Sequence, residues 1–299
     1  MNNKKVVITG GFGGIGYALA KRLKDEFDVL ILDNKIGENK DNISTIECDL
    51  TDPIIEKYIS DADYIFHLAC IKPTGRGTTK EEYFKNIKMT ENLAKYNKKA
   101  KIIYASAGTI YGSQDNFPIK ENASITCNIS DYYCRGKWES EVLLGNYSIK
   151  NHWALVILRV TNVYGPKFRR KGEIIPEFYS NLIRNRKIIV YGNGKQRRDR
   201  IFIDDLVEAL YLSIPEKIDG IFNIGSGKSY SSIKVAELIG KLVRKKPIFD
   251  FYEDNGLKRD DNLLDISKAK SIMKFKPKIS FKKGLKIIIK GWIEEKWSF

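Results

Sequence analysis

The sequence is poor in the side chains that hold metals. Its 299 residues include 2 histidines, His67 and His152, too few for a multi-histidine centre and a short list for a histidine general base. Its 4 cysteines, Cys48, Cys70, Cys127 and Cys134, form no C-x-x-C pair. That argues against a zinc ribbon or redox dithiol and leaves them as buried or idle thiols in a reducing compartment. No apolar run is long enough to span a bilayer. Val6–Ala20 follows Lys4 and Lys5 as a signal-peptide core would, but glycines at 10, 11, 13, 14 and 16 interrupt it, so the expected location is cytoplasmic. No low-complexity linker or internal repeat divides the chain. Acidic residues are outnumbered, 37 against 52 basic, for a formal charge of +15. The lysines are spread along the whole chain with no nucleic-acid-binding motif, so neither nucleic acid nor membrane is an expected partner. A local excess, Lys167, Arg169, Arg170, Lys171, Arg184, Arg186, Lys187, Arg197, Arg198 and Arg200, suits a diphosphate.

What is present is an ordinary globular composition, 42% hydrophobic and 30% charged, in an alternating pattern. Short β-rich runs at Lys5–Thr9, Val29–Asp33, Thr45–Cys48, Tyr64–Leu68, Ile102–Ala105 and Ala154–Arg159 read as parallel strands. Ile15–Lys24, Glu82–Tyr96 and Tyr132–Leu144 read as the helices between them. Beyond Pro166 the pattern is less regular. Ile188–Tyr191, Ile201–Ile203 and Ile221–Ile224 read as strands, and Ser231–Val243 and Phe281–Glu294 as helices; the last carries Phe281, Leu285, Ile288, Ile289, Trp292 and Ile293 on one face.

The first strand runs into Gly10, Gly13 and Gly16, spaced G-x-x-G-x-x-G, and then into a helix. Glycines there permit a tight turn, close approach of backbone to a pyrophosphate and close helix–strand packing. The helix N-terminus adds N–H donors and positive dipole. A dinucleotide is the expected ligand. The predicted fold is α/β: a Rossmann-type doubly wound parallel sheet over 1–165, with a smaller C-terminal α/β substrate-binding lobe over 166–299 from which segments cross back. Asp33 ends the second strand about twenty residues after the loop, where a carboxylate accepts hydrogen bonds from ribose hydroxyls and repels a 2′-phosphate. NAD is therefore expected over NADP, although Lys35 lies close by. Asp49-Leu50 follows the third strand, as an adenine-edge contact or as a turn aspartate.

Tyr133 and Lys137 form Y-x-x-x-K, and residues four apart share a helix face. A lysine ammonium beside the phenol, helped by a cationic nicotinamide, lowers the phenol's pKa from about 10 toward neutrality. The phenol can then exchange a proton with a sugar hydroxyl.

Together these segments resemble the NAD-dependent epimerase/dehydratase family of extended short-chain dehydrogenases over nearly the full length. The segments that carry the resemblance are Thr9-Gly10-Gly11-Phe12-Gly13-Gly14-Ile15-Gly16, Asp33-Asn34, Asp49-Leu50, His67-Leu68-Ala69, and Asn86 with Thr90. They continue with Ala105-Ser106-Ala107-Gly108-Thr109-Ile110-Tyr111-Gly112, Tyr133…Lys137 and Leu158-Arg159…Asn162-Val163-Tyr164-Gly165-Pro166. Arg198-Asp199…Asp204-Asp205, Phe222-Asn223-Ile224-Gly225-Ser226-Gly227 and Leu264-Asp265-Ile266-Ser267-Lys268-Ala269 complete the set. The resemblance implies that Leu68 and Ala69 lie under the cofactor, with His67 structural. Asn86 would buttress the core, and Lys137 would also contact the cofactor ribose. Asn162, Arg198 and Arg259 would bind the diphosphate of a nucleotide-diphosphate sugar. Homodimers packed through the Glu82–Tyr96 and Tyr133 helices are common in the family.

One position departs from the family. The hydroxyl residue four before Tyr111 is replaced by Ala107, so Ser106 or Thr109 must supply it. A subset linked to bacterial surface-polysaccharide synthesis shares this version. The 4,6-dehydratases of the family carry an Asp–Glu pair where this chain has Gly108 and Thr109, and the decarboxylases tend to carry a Glu. The resemblance therefore implies a nucleotide-sugar 4-epimerase. A 4-keto-sugar reductase or dehydrogenase using the same residues is the alternative, and a catalytically silent dinucleotide-binding module a remote third.

Overall fold

The computed structural model describes residues 4–73, 77–166, 168, 172–253 and 261–294. Its first half comprises β1 (Lys5–Thr9), α1 (Gly14–Leu23), β2 (Asp28–Asp33), β3 (Ser44–Glu47), α2 (Glu56–Ile59), β4 (Tyr64–His67), α3 (Lys80–Tyr96), β5 (Lys101–Ala107), α4 (Tyr132–Asn151) and β6 (Leu155–Val160). It continues with β7 (Asn162–Tyr164), α5 (Ile174–Ile183), β8 (Ile188–Tyr191), β9 (Arg197–Phe202), α6 (Ile203–Tyr211), β10 (Gly220–Ile224), β11 (Ser229–Ser231), α7 (Ser232–Val243), β12 (Phe249–Tyr252), α8 (Ser267–Ile272) and α9 (Phe281–Ile293).

A 7-stranded sheet in the order β10-β6-β5-β4-β1-β2-β3 is parallel throughout. Its inner strands β1, β4, β5 and β6 are buried on both faces, as a sheet covered on two sides requires. One apolar cluster lies beneath α1, α5, α6, α7 and α9 and includes Leu19, Phe66, Phe222 and Trp292. The other lies beneath α2, α3 and α4 and includes Ile55, Leu93, Tyr104 and Leu144. Strand order reverses at β1, between β2 and β4, and ligands bind at such a switch point beyond the carboxyl ends of the strands. This is the α/β architecture expected from the sequence. The smaller lobe holds a 3-stranded sheet, β11-β9-β7, and a parallel pair, β12-β8. β10 does not stay with that lobe. It pairs with β6 and forms the edge of the main sheet.

The sequence reading missed α2, α5, α6, α8, β7, β11 and β12 and extended one strand through Ile203, which opens α6. Strands of three or four residues give too little alternation to detect. No helix among the described residues is long and apolar enough to cross a membrane.

Candidate active site

The loop after β1 is built for close approach. Gly10 adopts φ +68°, and a Cβ there would stand 2.7 Å from the backbone of Ala69; a Cβ on Gly16 would stand 2.3 Å from the Gly10 carbonyl. α1 opens without a side-chain cap and with no acidic residue in its first turn, so its first N–H groups and dipole face the mouth of the sheet. Asp33 closes the corner. Its Oδ2 accepts from the Phe12 N–H at 2.9 Å and its Oδ1 from the Lys35 N–H at 3.3 Å.

These groups bound a cleft of about 500 Å³, within the size range of cofactor sites. It is lined by Gly10, Phe12, Gly13, Gly14, Ile15, Gly16, Asp33, Asn34, Asp49, Leu50, Leu68 and Ala69, every residue of the loop, strand ends and β4 end assigned to the cofactor. Lys72, Lys85 and Phe168 also line it and were not foreseen, because single residues on a loop or helix carry no spacing signal. The glycine cradle, the uncapped helix and the Asp33 carboxylate fit a dinucleotide. Asp49 also serves a turn: its Oδ1 accepts from the Thr51 N–H at 2.9 Å and the Thr51 hydroxyl at 2.8 Å, which hold its carboxyl below the usual range.

Beside this cleft, Tyr133 and Lys137 meet Cys70, Asn86, Tyr104 and Ser140 around a small void. Asp131 caps α4, accepting from the Tyr133 and Cys134 N–H groups at 3.0 and 3.1 Å, which sets the turn that carries the tyrosine. Lys137 is buried and donates from Nζ to the Ala105 carbonyl at 2.7 Å, lying 4.7 Å from the Tyr104 ring centroid. Burial by itself would lower its pKa, but Cys70, Tyr104 and Tyr133 around it hold it above the ordinary lysine range. Burial likewise pushes the Tyr133 phenol up, with Lys137 opposing. The sequence argument expected a phenol lowered toward neutrality. In the protein alone the loss of solvation outweighs the ammonium, and lowering needs a second positive charge in the site.

His67 lies buried behind the site, its Nδ1 2.9 Å from the Thr9 hydroxyl and its Nε2 3.1 Å from that of Thr90. Burial and then Lys137 push its pKa down to about 3, so it is a neutral structural group. Asn86 clamps Ile71 from both sides, Oδ1 accepting from its N–H at 2.8 Å and Nδ2 donating to its carbonyl at 3.1 Å.

The two hydroxyls offered for the Ala107 position part company. Ser106 is buried and donates to the Glu141 carboxylate, so its hydroxyl is committed behind the site. Thr109 is exposed, in the 3-10 turn Gly108–Tyr111, with its carbonyl accepting from the Cys134 thiol at 3.1 Å.

Asn162 and Arg198 stand on the small sheet, on β7 and β9, and neither lines the cleft. The Asn162 amide donates to the Asp199 carbonyl at 3.1 Å. Of the basic cluster, Arg197 donates to Ser229, and buried Arg200 donates to the Arg198 and Tyr230 carbonyls; both serve the small sheet. Arg259, Lys167 and Arg169–Lys171 lie outside the described residues.

The chain is similar to several known proteins. The chain is 31% identical to a UDP-N-acetyl-alpha-D-glucosaminuronate decarboxylase of Bacillus cytotoxicus, over 98% of each chain. Its structure resembles the UDP-glucose 4-epimerase of Thermotoga maritima, solved with UDP-glucose, at a TM-score of 0.87 and 25% identity over 98% of this chain and 100% of that one. It also resembles the UDP-N-acetylglucosamine 4-epimerase of Methanobrevibacter ruminantium, at 0.86 and 27% over 99% and 100%. A family model covers residues 6–225, from the strand that feeds the glycine loop to the end of β10, and with the loop, the acidic strand end and the Tyr–Lys pair all in place the chain belongs to the NAD dependent epimerase/dehydratase family.

Proposed function

We propose that this enzyme is an NAD-dependent nucleotide-sugar 4-epimerase. The observation that carries the reading is the composition of the void at Tyr133 and Lys137: among the described residues its lining includes no Asp or Glu. Dehydration needs a carboxylate pair to take a proton and expel water, and this site offers a tyrosine, a lysine and neutral groups. Both structural relatives named above are 4-epimerases by name; the decarboxylase relative has the higher identity, and the Gly108–Thr109 pair in place of a carboxylate weighs against its reaction here.

In this reading the cleft holds NAD, with Gly10–Gly16 at the pyrophosphate and Asp33 at the adenosine ribose. Bound NAD supplies a reversible two-electron acceptor and a positive charge next to Tyr133. Tyr133 takes the proton of the sugar 4-hydroxyl and later returns it. Lys137 holds the phenolate and the cofactor ribose. Thr109 orients the hydroxyl. Asn162, Arg198 and Arg259 take the diphosphate, where an arginine fork donates two parallel bonds. α3 and α4 form a homodimer contact.

The test is incubation of purified protein with UDP-glucose, UDP-N-acetylglucosamine and the GDP-, CDP- and dTDP-sugars, first without added coenzyme, then with NAD, and with the 4-keto-sugars and reduced coenzyme, each followed by proton NMR. Appearance of the 4-epimer supports the proposal. Stoichiometric reduction of added NAD with release of a keto-sugar would replace it with a dehydrogenase, and turnover only of a 4-keto-sugar with reduced coenzyme would replace it with a reductase.

A further inference from the structure

Three strands of the main sheet each contribute a buried polar residue at one level. Ser106 on β5 is in register with Arg159 on β6, and Arg159 with Asn223 on β10. The neighbouring levels are apolar: Ala105, Leu158 and Phe222 below, Ala107, Val160 and Ile224 above. A polar row here is costly to bury unless every group is partnered. It is partnered from α4. Glu141 receives Ser106 and, through both oxygens, Arg159, with Arg159 Nη2 at 2.7 Å. Arg159 Nη1 reaches the Tyr111 hydroxyl at 3.0 Å, and that hydroxyl donates to Asn223 Oδ1 at 2.7 Å. Glu141 and Arg159 are each 3% exposed.

The position of this cluster gives it a role. Tyr133, Lys137 and Glu141 recur every four residues along one face of α4. Lys137 grips Ala105 and Glu141 grips Ser106, so adjacent residues of β5 are held by successive turns of the helix. Tyr111 ends the turn that carries Thr109. The same cluster thus fixes both elements that bear the proton-handling groups.

We propose that Glu141 and Arg159 are positioning residues: the pair sets the axial register of α4 on the sheet and thereby holds Lys137 where it stabilises the Tyr133 phenolate. This rests on the acid–base role given to Tyr133 above. Replacing both members of a buried ion pair by apolar residues of similar volume costs less stability than removing one member, which separates positioning from mere structural support.

The full-length protein with NAD is compared with Glu141→Gln and with the double variant Glu141→Leu/Arg159→Met. Tyr133 ionisation is read as the ultraviolet difference between each protein and its own Tyr133→Phe counterpart across pH. Turnover is measured on UDP-glucose, and thermal midpoints are recorded. We expect the Tyr133 titration to move up by at least about one pH unit in both variants, as when a neighbouring positive charge is displaced. We also expect kcat to fall at least about tenfold with KM within about twofold, while the double variant, which leaves the Ser106 hydroxyl without its partner, loses less of its thermal midpoint than Glu141→Gln. A double variant with wild-type titration and kcat would overturn the proposal, and an unmoved titration in Glu141→Gln does so even if the double variant fails to fold. If wild type turns over none of the nucleotide sugars but the titration still shifts, the positioning role stands and the epimerase reading fails.

Discussion

At the residue scale the chemistry turns on a few side chains whose surroundings differ sharply. Removing the Tyr133 hydroxyl takes away the one proposed proton carrier while keeping the ring. Tyr133→Phe is expected to lose at least about a hundredfold in turnover, within the range of general acid–base catalysis, with nucleotide-sugar binding by calorimetry nearly unchanged. The two nearby hydroxyls separate in the same assay. Thr109→Val should impair turnover strongly. Ser106→Ala should chiefly lower the thermal midpoint, because its hydroxyl serves Glu141; full activity in Thr109→Val would remove the orienting hydroxyl from the mechanism. His67 gives a pH signature. Its pKa is pushed down to about 3 in the folded protein, against about 6.5 in an unfolded chain. Between these values the unfolded state binds a proton that the folded state refuses, so stability rises with pH across that window and is lost as pH falls. By pH 4 the loss is on the order of 3 kcal/mol from this residue. A plot of denaturation free energy between pH 6.5 and 4 should be shallower for His67→Asn than for wild type; parallel plots would contradict the assignment. Much at this scale was legible beforehand. The glycines and Asp33 announce themselves by spacing, and so do Tyr133 and Lys137. The direction of the Ser106 hydroxyl was not, because its partner arrives from a helix 35 residues away.

At the element scale α4 matters most, and its start is fixed by one carboxylate. Asp131 accepts from two N–H groups, one of them that of Tyr133. Asp131→Ala is expected to cost about 1 kcal/mol in urea unfolding, as loss of an N-cap does, and to lower kcat as well, since the frayed turn carries the proposed proton carrier Tyr133. Loss of stability with unchanged kcat would show that packing alone holds Tyr133. Strands β1 to β6 and helices α1 and α3 were predicted within a few residues; the four-residue α2 was missed, and α4 runs on to Asn151, past the predicted end at Leu144. α6 was hidden because the apolar run Ile201-Phe202-Ile203 crosses from strand to helix without a turn residue, and hydrophobic pattern alone cannot place such a boundary. The lysine that opens β5 was equally invisible. Lys101 is buried, and its ammonium donates to the Pro215 and Ile218 carbonyls at 2.7 and 2.5 Å, a contact made across the fold.

At the scale of the whole molecule, two expectations concern what it binds. Asp33 faces the cleft with both oxygens engaged by backbone N–H groups, so a 2′-phosphate would meet a fixed negative charge. In a thermal-shift titration NAD should stabilise at lower concentration than NADP; at a hundredfold excess over Kd the gain is about 2.7 kcal/mol. Tighter NADP would point to Lys35 as a phosphate ligand. α3 and α4 pack side by side and expose Phe84, Val142 and Ile149, an apolar content suited to a partner surface. Light scattering at micromolar concentration should give twice the 34.3 kDa chain mass, and Val142→Glu with Ile149→Glu should return it to one chain. A wild-type monomer would count against the contact.

The return of β10 has a consequence for anyone who would take the enzyme apart. A fragment ending near residue 165 carries every residue of the glycine loop and the Tyr–Lys pair, yet it leaves β6 with a bare edge and Arg159 without Asn223 beyond it. An unpaired edge strand invites association with other chains. The edge of the main sheet is therefore completed from the second half of the chain. A chimera joined near residue 165 needs a strand in place of residues 220–224 beside β6, and a fragment without one is expected to associate through that edge.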